Sequence, residues 1–216
     1  MKKTLFFAAL VLFSTCCFAQ KNPAVKNAKR YMMAETPDFS AARTAIEEAI
    51  ATAPTAETYY WAGMIGYQEL TQENYNQMLG KGVNQAVAGQ AVVESYDYWL
   101  EADRLAMIPT LDKKGREVVD TKTRANITKK MLEYYKQQEL VKYGIYLNEQ
   151  RDFEGAYKVF KKHIEIPELD MMQNEKLQKE MPRDSIYTQY KYYTAIFAVQ
   201  AAMHEEAIAV LEELKD

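Results

Sequence analysis

The chain has 216 residues, 48% hydrophobic and 26% charged, with 27 basic against 30 acidic side chains. That is enough apolar material for one continuous core, while the slight acidic excess disfavours nucleic-acid binding, which needs a basic surface to neutralise phosphates. Only 8 Gly and 6 Pro are present, so long helices fit the sequence better than turn-punctuated strands, and an all-α fold is expected.

Residues 1–19 read as a secretory signal. Lys2 and Lys3 are followed by the apolar run Leu5 to Phe13 and by small residues from Ser14 to Ala19, the order of a cleaved export signal. The run is far shorter than the roughly 20 residues that span a bilayer, so no stable membrane span is expected. The alternative to cleavage after Ala19 is a lipid anchor at Cys16 or Cys17, although the residues before them lack the usual aliphatic residue followed by Ala or Gly. Both cysteines of the chain lie here, so the cleaved protein would have no thiol or disulfide. It would carry 25 basic and 30 acidic residues, a net charge near −5.

Residues 20–216 then read as helices with recognisable stops. Pro23 to about Glu35 is the first. Asp38 or Ser40 caps a second that runs to Ala53, ahead of Pro54. Thr55 or Thr58 starts a third, which ends near Leu79 before Gly80-Lys81-Gly82, and Asn84 to Met107 is a fourth, stopped at Pro109. Thr110 to Thr121 is a polar connector. Thr121 or Thr123 begins one long helix to about Asn148, and Asp152 begins its partner, which ends near Ile166. Glu168 to Arg183 is a second connector whose Met171, Met172, Leu177 and Met181 allow a short helix lying on the fold. Asp184 or Ser185 caps the last pair, Tyr187 to Met203 and Glu205 to Asp216.

A small-residue pattern recurs along these helices. Gly144, Asp152, Phe153, Ala156, Phe160 and Pro167 form one copy, and Asp38, Phe39, Ala42, Ile46, Ala49 and Pro54 a second. Ala195, His204, Ala207, Leu211 and Leu214 form a third, and Ser95, Trp99 and Ala102 a looser fourth. Small and large apolar residues four apart share a helix face that a neighbouring helix must approach closely. In these positions the chain resembles the tetratricopeptide-repeat family, whose first helix carries a Leu-Gly and a Tyr and whose second carries Ala, an aromatic, Ala and a closing Pro. The resemblance implies a right-handed superhelical solenoid of about four antiparallel helix pairs. The small residues at 42, 95, 156 and 207 are 53, 61 and 51 positions apart, against a family period of about 34, so lengthened helices and loops are expected.

Carried onto this chain, the family's inward-facing positions are Tyr31, Tyr60, Met64, Tyr67, Gln68, Gln138, Lys142, Ile145, Asn148, Gln189, Tyr192, Tyr193 and Ile196. The resemblance implies that these line a concave groove for a protein or peptide partner, tyrosine offering contact area and a hydroxyl. The Lys and Asn clamp by which some members hold a terminal carboxylate is approached only by Lys142 and Asn148, so a C-terminal-tail receptor is not expected.

Enzyme chemistry finds few parts. His163 and His204 lack a second histidine at i+4, so no metal site of the metalloprotease type is expected. Glycine-rich phosphate loops and serine elbows are missing too. The pairs Glu47-Glu48, Glu205-Glu206 and Glu212-Glu213 read as solvated helix faces, and His163 reads as an interface residue. The expectation is a non-enzymatic scaffold or adaptor, exported to the periplasm or cell envelope of a Gram-negative-type bacterium, with no cofactor and no small-molecule ligand. The alternative is an envelope glycan-binding or uptake component using aromatic platforms such as Trp61 or Trp99.

Overall fold

The computed structural model of the protein describes residues 22–214; the expected signal at 1–19, with Cys16 and Cys17, lies outside them. The described chain is all-α. Its helices are α1 (Pro23–Met32), α2 (Phe39–Thr52), α3 (Ala56–Met78), α4 (Gln85–Ala106), α5 (Thr121–Gln137), α6 (Glu139–Glu149), α7 (Phe153–Glu165), α8 (Glu175–Glu180), α9 (Ser185–Gln200) and α10 (His204–Glu212). Most begin on a side chain that accepts an otherwise unpaired backbone N–H, an interaction contributing about 1 kcal/mol each. Asp38 caps α2, Thr55 caps α3, Asn84 caps α4, Asp152 caps α7 and Asp184 caps α9. For α5 the cap is Asp120, one residue ahead of the expected Thr121.

Two expectations need correction. The single helix to Asn148 is broken at Gln138, whose φ of 56° is left-handed. No Gly or Pro marks the place, so the sequence gives no stop signal there. A non-glycine residue in this conformation costs about 1–2 kcal/mol, offset because the turn lets both halves bury apolar faces. Ile127, Met131 and Tyr134 are buried from α5, and Leu140, Val141, Gly144 and Leu147 from α6. The polar connector after Pro109 holds an antiparallel hairpin, β1 (Thr110–Leu111) paired with β2 (Glu117–Val118). Asp112 closes it by accepting from the backbone of Lys114 and Arg116 at 2.7 and 2.9 Å. The second connector contains α8, as expected, after two short 3-10 turns. The carbonyls of Pro167 and Met172 in these turns both accept from the Gln178 amide, at 2.8 and 3.1 Å.

The helices pack in chain order: α1 on α2 and α3, α2 on α3, α3 on α4, α4 on both α5 and α6, α6 on α7, α7 on α9, and α9 on α10. Ala42, Ala49, Ala156 and Ala207 are all buried, as are Ser95, Trp99 and Ala102. Close approach is completed by rings seated where a helix lacks a Cβ. A Cβ on Gly63 would lie 2.4 Å from Trp99, one on Gly89 1.8 Å from Tyr143, and one on Gly144 2.4 Å from Phe160. At the other face of α2, Arg43 joins three helices, with its guanidinium 2.6 Å from both Glu69 and Glu94. These carboxylates hold it in its charged form.

Gly144→Ala tests the ring seat directly. Alanine favours a helix by about 1 kcal/mol over glycine, yet overpacking against Phe160 costs about 1–3 kcal/mol, and the net expectation is a loss of about 1 kcal/mol in urea unfolding. A variant more stable than the parent would show that Phe160 needs no such seat.

Candidate functional site

A cleft lies where the far half of the α3/α4 hairpin meets α6. Three helices turn the same kind of face toward it. Leu70, Asn74 and Gln77 come from α3, Gln85, Ala88, Gly89 and Val92 from α4, and Glu139, Lys142, Tyr143 and Tyr146 from α6, with Val83 at the rim. On α4 and α6 the spacing is i, i+3, i+4, i+7, one side of each helix. The cleft volume is about 220 Å³, room for one bulky side chain or a sugar-sized group.

Its floor is set by packing. Tyr143 sits against Gly89, and Tyr146 stacks on it with ring centroids 6.0 Å apart and planes 15° apart. Burial raises the Tyr143 phenol above its ordinary pKa, and its hydroxyl is a neutral donor at pH 7. At the α6 end the Glu139 side chain is only 5% exposed and accepts from Lys142 Nζ at 3.0 Å, while the Lys142 side chain is 62% exposed. The pair contributes little to stability for that reason. It places one carboxylate and one mobile ammonium beside the tyrosines and the amides of Asn74, Gln77 and Gln85. Such a set offers a ligand an aromatic surface, hydrogen-bond donors and acceptors, and one charge of each sign.

Of the groove residues expected from the repeat resemblance, Lys142 alone lines this cleft. Gln138 lines a second cavity, of about 160 Å³, with Tyr135, His163, Tyr187 and Tyr190. Met64 is buried in the core. Tyr67 is committed within the fold, donating to Glu133 at 2.7 Å, stacking on Tyr134 at 6.1 Å and lying under Lys130 at 3.7 Å. Tyr60 is half-buried, and its carbonyl accepts from Trp99 Nε1 at 3.3 Å. Gln189 donates to the Tyr193 hydroxyl at 2.8 Å, and the Tyr193 ring packs on Phe160 and Phe197. Tyr31, Gln68, Asn148 and Ile196 are half-buried, and Ile145 and Tyr192 are exposed. Sequence reasoning missed Asn74, Gln77, Gln85, Glu139 and Tyr146 as site residues. The signal was available in the matching helical spacing on α3, α4 and α6, but only the Gln138 break aligns α6 with the other two.

His163 is an interface residue, 1% exposed. Its ring stacks on Tyr135 at 4.8 Å with planes 3° apart and meets Tyr190 edge-on at 5.2 Å. Its Nδ1 has no hydrogen-bond partner, and burial pushes its pKa down to about 4. Among the described residues no group of three His, Cys, Asp or Glu side chains could hold a metal ion, and no helix is long and apolar enough to cross a membrane.

A histidine folded neutral gives stability that is complete above its unfolded pKa of 6.5 and is lost as pH falls toward 4. The loss is about 3 kcal/mol over that window. His163→Phe keeps a flat ring on Tyr135, and its stability should fall less steeply between pH 6.5 and 4 than the parent's; equal slopes in urea unfolding would assign the acid sensitivity to other groups. Compared with known proteins, the chain is matched by no family model, no curated protein and no solved structure.

Proposed function

We propose that this protein is a non-enzymatic scaffold, exported to the periplasm or cell envelope, which holds a segment of another protein in the α3/α4/α6 cleft. In this reading the helix pairs α1/α2, α3/α4, α6/α7 and α9/α10 are the four units of a tetratricopeptide-like solenoid. Packing of the two helices within each of these pairs, and of each pair on the next, supports that arrangement.

The observation that carries the reading is the convergence of three amphipathic helix faces on one cleft. Its apolar floor, formed by Leu70, Val92 and the Tyr143–Tyr146 pair, suits a large side chain. Around it the amides of Asn74, Gln77 and Gln85 offer both donors and acceptors, which is what an extended peptide backbone requires. The glycan reading is weakened at its tryptophans. Trp99 is fully buried, and Lys29 lies 3.7 Å over the Trp61 ring, so neither is an open platform for a sugar.

A photoreactive residue at Lys142 in intact cells should yield a discrete protein adduct, and the same probe at Gln189 should not. Tyr146→Ala should weaken that capture about tenfold or more, the effect of removing an aromatic anchor. A saccharide adduct in place of a protein, or capture that is indifferent to Tyr146, would overturn the proposal.

A further inference from the structure

We infer that α10 carries a docking face for an amphipathic helix with a basic edge, separate from the cleft and independent of its reading. The inference starts from a correspondence between α7 and α10. Ala156, Tyr157, Val159 and Phe160 of α7 stand at the same intervals as Ala207, Ile208, Val210 and Leu211 of α10. In α7 all four are buried, and the last of them lies between two helices: Phe160 sits against Gly144 of α6 and meets Tyr190, Tyr193 and Phe197 of α9 with centroids 6.0, 6.4 and 5.0 Å away. In α10 the small pair Ala207 and Val210 is buried against the fold, while Ile208 and Leu211 are 56% and 39% exposed. The stripe that receives a helix on α7 is therefore repeated on α10 with its outer half open.

Charge decides what kind of helix fits. Glu205 and Glu212 lie three residues before and four after Ile208, on the same edge of the helix. No Lys or Arg occurs from His204 to Glu213, whereas the equivalent stretch of α7 holds Lys158, Lys161 and Lys162. A helix laid along Ile208 and Leu211 thus desolvates two carboxylates and must bring cations to them. α9, already packed on α10, does so: Lys191 reaches Glu213 at 2.8 Å. The occupant is accordingly a helix with aromatic or large aliphatic residues at i, i+3 and i+7, the pattern of Tyr190, Tyr193 and Phe197, and with Lys or Arg along one side.

The test uses two synthetic helical peptides with Tyr, Tyr and Phe at that spacing, one with a lysine edge and one with a glutamate edge, titrated by fluorescence anisotropy against the whole chain. The lysine-edged peptide should bind about tenfold more tightly or better. Joint substitution Ile208→Asp and Leu211→Asp, at exposed positions, should abolish binding. Joint substitution Glu205→Lys and Glu212→Lys should reverse the preference between the peptides. Met78→Asp, at an exposed apolar site on α3, should change nothing. Equal affinity for the two peptides, no saturable binding, binding that survives the aspartates or falls with Met78→Asp, or an unreversed preference would each overturn the inference.

Discussion

The fold depends on one repeated contact, an aromatic ring set into a helix where a glycine leaves no Cβ. Trp99 fills the place at Gly63, Tyr143 the one at Gly89 and Phe160 the one at Gly144, which links α3 to α4, α4 to α6 and α6 to α7 in turn. Each mid-helix glycine costs about 1 kcal/mol relative to alanine. Burying a large aromatic side chain contributes about 2–3 kcal/mol, and the exchange is favourable at every step. It also has a geometric effect. Because Phe160 sits deep against α6, its outer edge is presented to Tyr190, Tyr193 and Phe197, so the same ring that closes one pair aligns the next.

The left-handed turn at Gln138, unlike those at Arg151 and Ala202, falls where one continuous helix was expected, and its strain is explained by what the two helices reach. α5 runs back over the near half of the α3/α4 hairpin. There Tyr134 joins Tyr67 and Trp99, with Tyr134 and Trp99 centroids 5.2 Å apart. α6 then leaves at a new angle to meet α4 and α7. A continuous helix could not do both. The consequence for recognition is that α5 occupies the face on which a repeat-derived groove would have placed Tyr67, and the accessible recess moves to the far half of the hairpin.

Much of this was legible in the chain. The helix starts followed from Asp38, Thr55, Asn84, Asp152 and Asp184, since a short acceptor side chain before an apolar period has few other uses. The buried alanines were legible for a similar reason, because a small residue four positions from a large one marks where two helices touch. The break at Gln138 was not, as glutamine favours helices and the conformation is imposed by tertiary burial on both sides. The cleft was hidden for the same cause. Asn74, Gln77 and Gln85 share a helical spacing with Leu70 and Val92, but only the placement of α6 brings Tyr143 and Tyr146 to the same cleft.

Helix length explains why a cleft exists in this position at all. At about 1.5 Å per residue, α3 and α4, with 23 and 22 residues, are each about 33 Å long, while α6, with 11, is about 16 Å. A short helix cannot cover a long hairpin. α5 covers the part nearest Trp99, and α6 seats Tyr143 against Gly89, with the cleft opening beside Tyr146. The cleft walls there are the amides of Asn74, Gln77 and Gln85 with Val83 at the rim, beside the exposed Tyr75, Met78 and Leu79. In the proposed reading, polar walls around a tyrosine floor favour a ligand that can satisfy the amides as well as fill the recess, and the mismatch in helix length would then be a source of selectivity.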